Sequence, residues 1–166
     1  AAARLKGEYT LALVGAGPLR QSIEARAAEL GIASKLEIRG GIPSVQMPEV
    51  YSSMDALVLP SRTRANWKEQ FGRALVEAMA CEVPVVGSDS GEIPSVIADA
   101  GLVFPEGKVA ALAAHLEALR TSTELRHDLG QRGRARVLEQ FTHARIAEQT
   151  YHVYREMLER SEVRKP

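Results

Sequence analysis

Short apolar runs that stop at glycine or proline, each followed by a stretch of helical spacing, leave a chain like this few ways to fold. Leu11-Ala12-Leu13-Val14 is closed by Gly15-Ala16-Gly17-Pro18, and Leu19, Ile23, Ala27 and Leu30 then recur at helical spacing up to Gly31. Leu36-Glu37-Ile38 ends at Gly40-Gly41, and a short helix is expected from about Pro48 to Met54, with proline near its start. Ala56-Leu57-Val58-Leu59 stops at Pro60-Ser61. A polar loop then reaches Gln70, and a helix is expected over Phe71 to Cys81. Pro84-Val85-Val86 leads into Ser88-Asp89-Ser90-Gly91, and a short helix near Ile93 to Ile97 precedes Leu102-Val103-Phe104. Strands apolar on both faces and alternating with helices predict an α/β fold: a parallel sheet with helices on both faces. Beyond Pro105 the spacing is purely helical, over Lys108 to Arg120, Glu124 to Gln140 and Ala144 to Arg160.

At 166 residues the chain suits one domain with a substantial core. Twenty-one Lys and Arg balance 21 Asp and Glu, so no overall field draws the chain to nucleic acid or an anionic membrane. Cys81 is the only cysteine, which rules out an internal disulfide and suits a reducing, cytoplasmic home. No apolar run reaches membrane-spanning length. Ala1-Ala2-Ala3-Arg4-Leu5 reads like the end of a helix, and the chain as a fragment of a larger polypeptide.

Two segments compete for the chemistry. Val14-Gly15-Ala16-Gly17-Pro18-Leu19-Arg20 has the first two glycines of a dinucleotide fingerprint, with Glu37 at a tempting distance for a ribose contact. However, Arg20 stands where the third glycine is required, and Pro18 removes an N–H from the helix start. A structural turn is the better reading, and an NAD-binding domain the weaker one. No GxxxxGK[ST] loop exists, which excludes a P-loop ATPase.

Glu69-Gln70-Phe71-Gly72-Arg73-Ala74-Leu75-Val76-Glu77-Ala78-Met79-Ala80 is more informative. Glu77 interrupts an apolar helical run, where a carboxylate is costly without a partner. An ion pair with Arg73, one turn earlier, is the plain answer, although base before acid is the weaker order on a helix. The sharper answer is a ribose diol, whose two hydroxyls one carboxylate can accept. At the helix start, N–H groups near Phe71 and Gly72 would suit a phosphate, and Gly72 allows close approach. Glu69 is expected beside that anion hole rather than in it, able to accept hydroxyls of a sugar on the phosphate; the alternative is a plain capping carboxylate.

These residues, with Pro60-Ser61, Pro84-Val85-Val86 and Gly91, resemble the family 4 (group 1) retaining glycosyltransferases, whose E-x7-E signature matches Glu69 and Glu77. Gly15-Ala16-Gly17-Pro18, Gly40-Gly41 and Ala100-Gly101-Leu102-Val103-Phe104-Pro105 match in order and spacing, so the resemblance covers nearly the whole chain. It implies a GT-B architecture of two Rossmann-like domains, residues 1–166 forming the nucleotide-sugar-binding C-terminal one, N-terminally truncated, with a crossover helix at 142–160. By the same resemblance Glu69 would be the catalytic-site residue contacting the transferred sugar. Phe71 and Gly72 would hold the sugar-phosphate, Glu77 the ribose, and Arg39-Gly40-Gly41-Ile42 the base, largely through backbone. The implied activity is retaining, metal-independent hexosyl transfer from a nucleotide sugar, without a cofactor, to an unknown acceptor. A non-catalytic nucleotide-sugar-binding module or inactive paralogue is the alternative. The family's diphosphate-binding arginine and lysine, and its N-terminal acceptor domain, would precede Ala1. Peripheral association with the inner face of a membrane through that domain is compatible with this reading. Glu92 departs from the family, which often has a second glycine after Gly91.

Other candidates carry less. Arg62, Arg64, Trp67 and Lys68 form a basic loop that could touch phosphate or an acidic acceptor, a solvated loop being the plain alternative. His115, His127, His143 and His152 lack metal-ligand spacing and fall on helical positions expected to be exposed, and Asp89 is flanked by serines, so no D-x-D motif exists. A glycosidase would need two carboxylates facing one scissile bond, unlike Glu77 in mid-helix and Glu69 before it. On the last helix Ile146, Thr150, Val153 and Met157 make one stripe and Ala147, Tyr151, Tyr154 and Leu158 a second, more apolar face than one helix normally buries. Part of Tyr151, Tyr154 and Leu158 is therefore expected to be exposed, or covered by another copy.

Overall fold

In the computed structural model, which describes the backbone of residues 1–163 and the side chains of residues 1–160, strands and helices alternate as the apolar runs require. β1 (Leu11–Val14), α1 (Arg20–Glu29), β2 (Leu36–Arg39) and α2 (Met47–Ser52) form the first part. β3 (Leu57–Leu59), α3 (Arg73–Ala80), β4 (Val85–Ser88), α4 (Ile93–Ile97) and β5 (Leu102–Phe104) form the second. Three helices close the chain: α5 (Val109–Thr121), α6 (Thr123–Gln140) and α7 (His143–Val163).

All strand pairs are parallel, but they make two sheets, β1-β2 and β3-β4-β5, rather than the single sheet the sequence suggested. Among the described residues no ladder joins β1 or β2 to β3, so β1 and β3 each have one strand neighbour. Side-chain parity explains the core of the second sheet. Val85, Leu57, Leu59 and Val103 face one cluster with Leu75, Met79, Ile93 and Ile97, while Val86, Val58, Leu102 and Phe104 face another with Leu119 and Leu129. β4 is the central strand, and every residue of it is buried. A side chain at Gly87 would collide with Ile93 and Ile97, so glycine lets α4 lie directly on β4.

The first sheet is more open, and α1 departs from its expected stripe. Leu19 and Leu30 fall outside the helix at 67% and 45% exposure, and of its residues only Ala27 is buried. Two strands are too narrow to cover a full helical face. α7 departs further. Tyr151, Tyr154 and Leu158 are exposed as expected, but so are Ile146, Val153 and Met157 on the other stripe. No helix among the described residues is long and apolar enough to cross a membrane.

Candidate functional site

In parallel α/β sheets the crevice outside the carboxyl ends of the strands collects loops that can hold a ligand. Here the loops after β3, β4 and β5 are laced together by side chains. Ser88 Oγ donates to the Ser61 carbonyl at 2.7 Å, and the Thr63 and Ser90 hydroxyls lie 2.9 Å apart. The Thr63 amide donates to Glu106, and the Glu106 amide to Asp89. Asp89 thus brackets two loops. Ser88 and Ser90 are buried, and among the described residues no buried side-chain polar atom lacks a partner.

Glu69 sits on this frame. Ser61 Oγ donates to its Oε2 at 3.0 Å, and the Gly72 amide to its Oε1 at 3.1 Å. Its carbonyl accepts the Glu92 amide at 3.0 Å. The expectation that Glu69 would lie beside the helix-start amides is therefore corrected: its carboxylate turns back onto one of them. The helix also starts later than expected, at Arg73. Gly72 at its N-cap takes the left-handed conformation (φ +76°), which favours glycine and ends the loop sharply. The Phe71, Arg73 and Ala74 amides have no hydrogen-bond acceptor among the described residues. Phe71 is 41% exposed and packs edge-on against Phe141 at 5.7 Å. The Arg136 guanidinium covers the same Phe141 ring while donating to the Val96 and Ser95 carbonyls at the end of α4. Loop, α4 and α6 are tied at one point.

Glu77 is half-exposed, not buried as its apolar neighbours suggested. Arg73 Nε reaches its Oε1 at 3.2 Å, so the plain ion pair is present, but Arg73 is 85% exposed and such surface pairs contribute little. The stronger partner was not singled out from the sequence. Tyr51 of α2, only 4% exposed, donates its hydroxyl to Glu77 Oε2 at 2.7 Å. Burial, and then this hydrogen bond, push the phenol well above its ordinary value, so it remains a donor. A buried tyrosine needs a partner for its hydroxyl, and that was the available signal.

The structure places Glu69, Phe71 and Gly72 at the start of α3 and Glu77 on its second turn, tied back to the first by Arg73. Arg39, Gly40, Gly41 and Ile42 lie apart, at the end of β2, and no hydrogen bond or ion pair among the described residues joins the two groups. Gly40 and Gly41 are exposed with open space beside them, and Arg39 grips Glu37 through two hydrogen bonds of 2.8 and 3.0 Å. That grip, chiefly its hydrogen bond, holds the Glu37 carboxyl below the usual range, so the residue counted towards an NAD ribose already has a cation as partner. The basic loop folds on itself through an Arg64–Trp67 bridge, with Arg62 to Lys68 exposed. His115 departs from expectation: it is half-buried, its Nε2 3.2 Å from the Val103 carbonyl. Among the described residues no His, Cys, Asp and Glu cluster could hold a metal ion.

A parallel α/β domain with one glutamate before a glycine-started helix and a second on that helix defines a class, and comparison gives the family. The model of the glycosyl transferases group 1 matches residues 1–136, and this chain belongs to that family. N-acetyl-alpha-D-glucosaminyl L-malate synthase of Bacillus anthracis is 34% identical over 150 residues, 89% of this chain and 38% of that protein. Sucrose-phosphate synthase of Thermosynechococcus elongatus superposes with a TM-score of 0.77 at 29% identity, over 90% of this chain and 38% of that one. HepE of Anabaena, solved with UDP, gives a TM-score of 0.83 at 20% identity over 93% of this chain and 43% of that chain, a likeness of fold. This chain therefore spans under half the length of these relatives. Its solved neighbours are GT-B glycosyltransferases.

Proposed function

We propose that this chain is the donor half of a retaining glycosyltransferase: it binds a nucleotide-diphosphate sugar at the carboxyl ends of β3–β5 and the start of α3. The observation that carries this is the arrangement of Glu69 just before α3 and Glu77 on its second turn, the first held by Ser61 and the Gly72 amide of its own loop and the second by Tyr51 of α2. The Phe71, Arg73 and Ala74 amides face the diphosphate and stabilise its charge as the bond to the sugar breaks, while the Gly72 amide is held by Glu69 and its bare backbone allows close approach. Glu69 orients the sugar, which is positioning rather than proton transfer. Glu77 accepts the ribose diol, and the Arg39–Ile42 strand end meets the base. UDP in the structure of HepE, and the transferase names among the relatives, support a nucleotide-sugar donor. The reading uses no metal and no cofactor. The acceptor, its domain, a diphosphate-binding Arg/Lys pair and any contact with a membrane belong to a part of the protein outside this chain. The exposed face of α7 supports its reading as the segment that crosses to that domain.

Calorimetric titration of UDP and GDP, with and without EDTA, tests the donor site. Glu77→Gln is expected to weaken binding by about 1.5–3 kcal/mol, the worth of a hydrogen bond to a charged group, and EDTA to change nothing. Equal affinities for wild type and variant would contradict the assignment.

A further inference from the structure

We propose that Tyr51 is a positioning residue of the donor site, fixing the Glu77 carboxylate so that it meets a vicinal diol. The inference rests on the reading of Glu77 as the ribose acceptor. A glutamate side chain on a half-exposed helix face samples several rotamers, and a mobile carboxylate accepts two adjacent hydroxyls poorly. Arg73 cannot fix it, being a long and largely exposed arm.

Tyr51 can. Its ring is packed in the same core as Leu75, Ala78 and Met79, the residues on the inner face of the helix that carries Glu77. Ring and helix are thereby held in one register, and the hydroxyl reaches Oε2 at 2.7 Å from a fixed origin. A phenol has one hydrogen to give, and it is spent on Oε2. Each carboxylate oxygen has two lone-pair directions, so acceptor positions remain on both oxygens for a diol. The plane they lie in is set by Tyr51. α2 also begins five residues beyond Ile42, so the tyrosine comes from the segment that leaves the proposed base-binding strand end.

A tyrosine that merely satisfies its own buried hydroxyl would affect stability and nothing else. The separating readout is the ratio of affinities for a ribonucleoside diphosphate and its 2′,3′-dideoxy form, UDP or GDP being used, whichever binds the protein more tightly. The ratio is taken within each variant, so loss of folded protein scales both affinities equally and leaves it unchanged. Wild type is expected to favour the ribo form by about tenfold or more, as hydrogen bonds to a carboxylate imply. Tyr51→Phe, which keeps the ring, is expected to reduce that preference by roughly threefold to tenfold. Tyr51→Met, an apolar filler without a donor, is expected to do the same. Glu77→Gln reports on the underlying reading. If Glu77→Gln loses the preference while both Tyr51 variants keep it, Tyr51 is a core residue only and the proposal is overturned. If Glu77→Gln also keeps it, the ribose reading fails and takes the proposal with it.

Discussion

A β-carbon at Gly91 would lie 1.8 Å from the carbonyl oxygen of Glu69, and Gly91 has a left-handed φ of +58°. Backbone pressed on backbone at this point allows the next amide, of Glu92, to hold the Glu69 carbonyl. The departure at Glu92 is thus accommodated through its main chain. Gly91→Ala would force the two loops apart and strain φ, at a cost of about 2 kcal/mol or more. In a domain of this size that corresponds to a melting temperature lower by roughly 4–8 °C. On the proposed reading of Glu69 as the residue that meets the sugar, affinity for a nucleotide sugar should fall more than affinity for the bare nucleotide. An unchanged melting temperature, read by circular dichroism, would contradict this account of the loop. Glu77 was legible as a charge inside an apolar run, and Glu69 by its place just before the helix and its spacing from Glu77. Tyr51 was not, because its bond to Glu77 spans 26 residues and looks local to neither helix.

At the scale of elements, the strands were legible because period and punctuation agree: each apolar run ends at Gly, Pro or Ser. What could not be read was which helical stripes find cover, since that depends on neighbours distant in sequence. α6 shows the point. Its Gly130 and Gly133 look like helix weaknesses, yet a side chain at Gly130 would strike the Glu82 carbonyl and one at Gly133 would crowd Met79. They are notches that admit the end of α3, supported by Arg134 reaching the Ala80 carbonyl and Glu82. α7 is the opposite case. Its described residues from His143 to Arg160 are all exposed, so it adds little to the core of this domain. Ending the chain after Phe141, which keeps the ring contact to Phe71, should shift the melting temperature by less than about 3 °C, the equivalent of roughly 1 kcal/mol. A larger loss would show that α7 stabilises the domain.

At the scale of the molecule, two parallel sheets present their strand ends differently. The second offers a braced set of loops and a helix start, while the first offers an open glycine pair and a half-exposed strand. The fold class followed from the alternation of runs. The division into two sheets did not, because strand pairing is not encoded in the runs themselves. On the proposed reading a nucleotide sugar lies against the start of α3 and the end of β2, away from the Gly15–Gly17 turn. Amide chemical-shift mapping by NMR during titration with UDP-, GDP- and ADP-sugars tests this most directly. The best-binding donor is expected to move the amides of Gly40 to Ile42, Phe71 to Ala74 and Glu77. Shifts confined to Gly15, Ala16, Gly17 and Glu37 would contradict it.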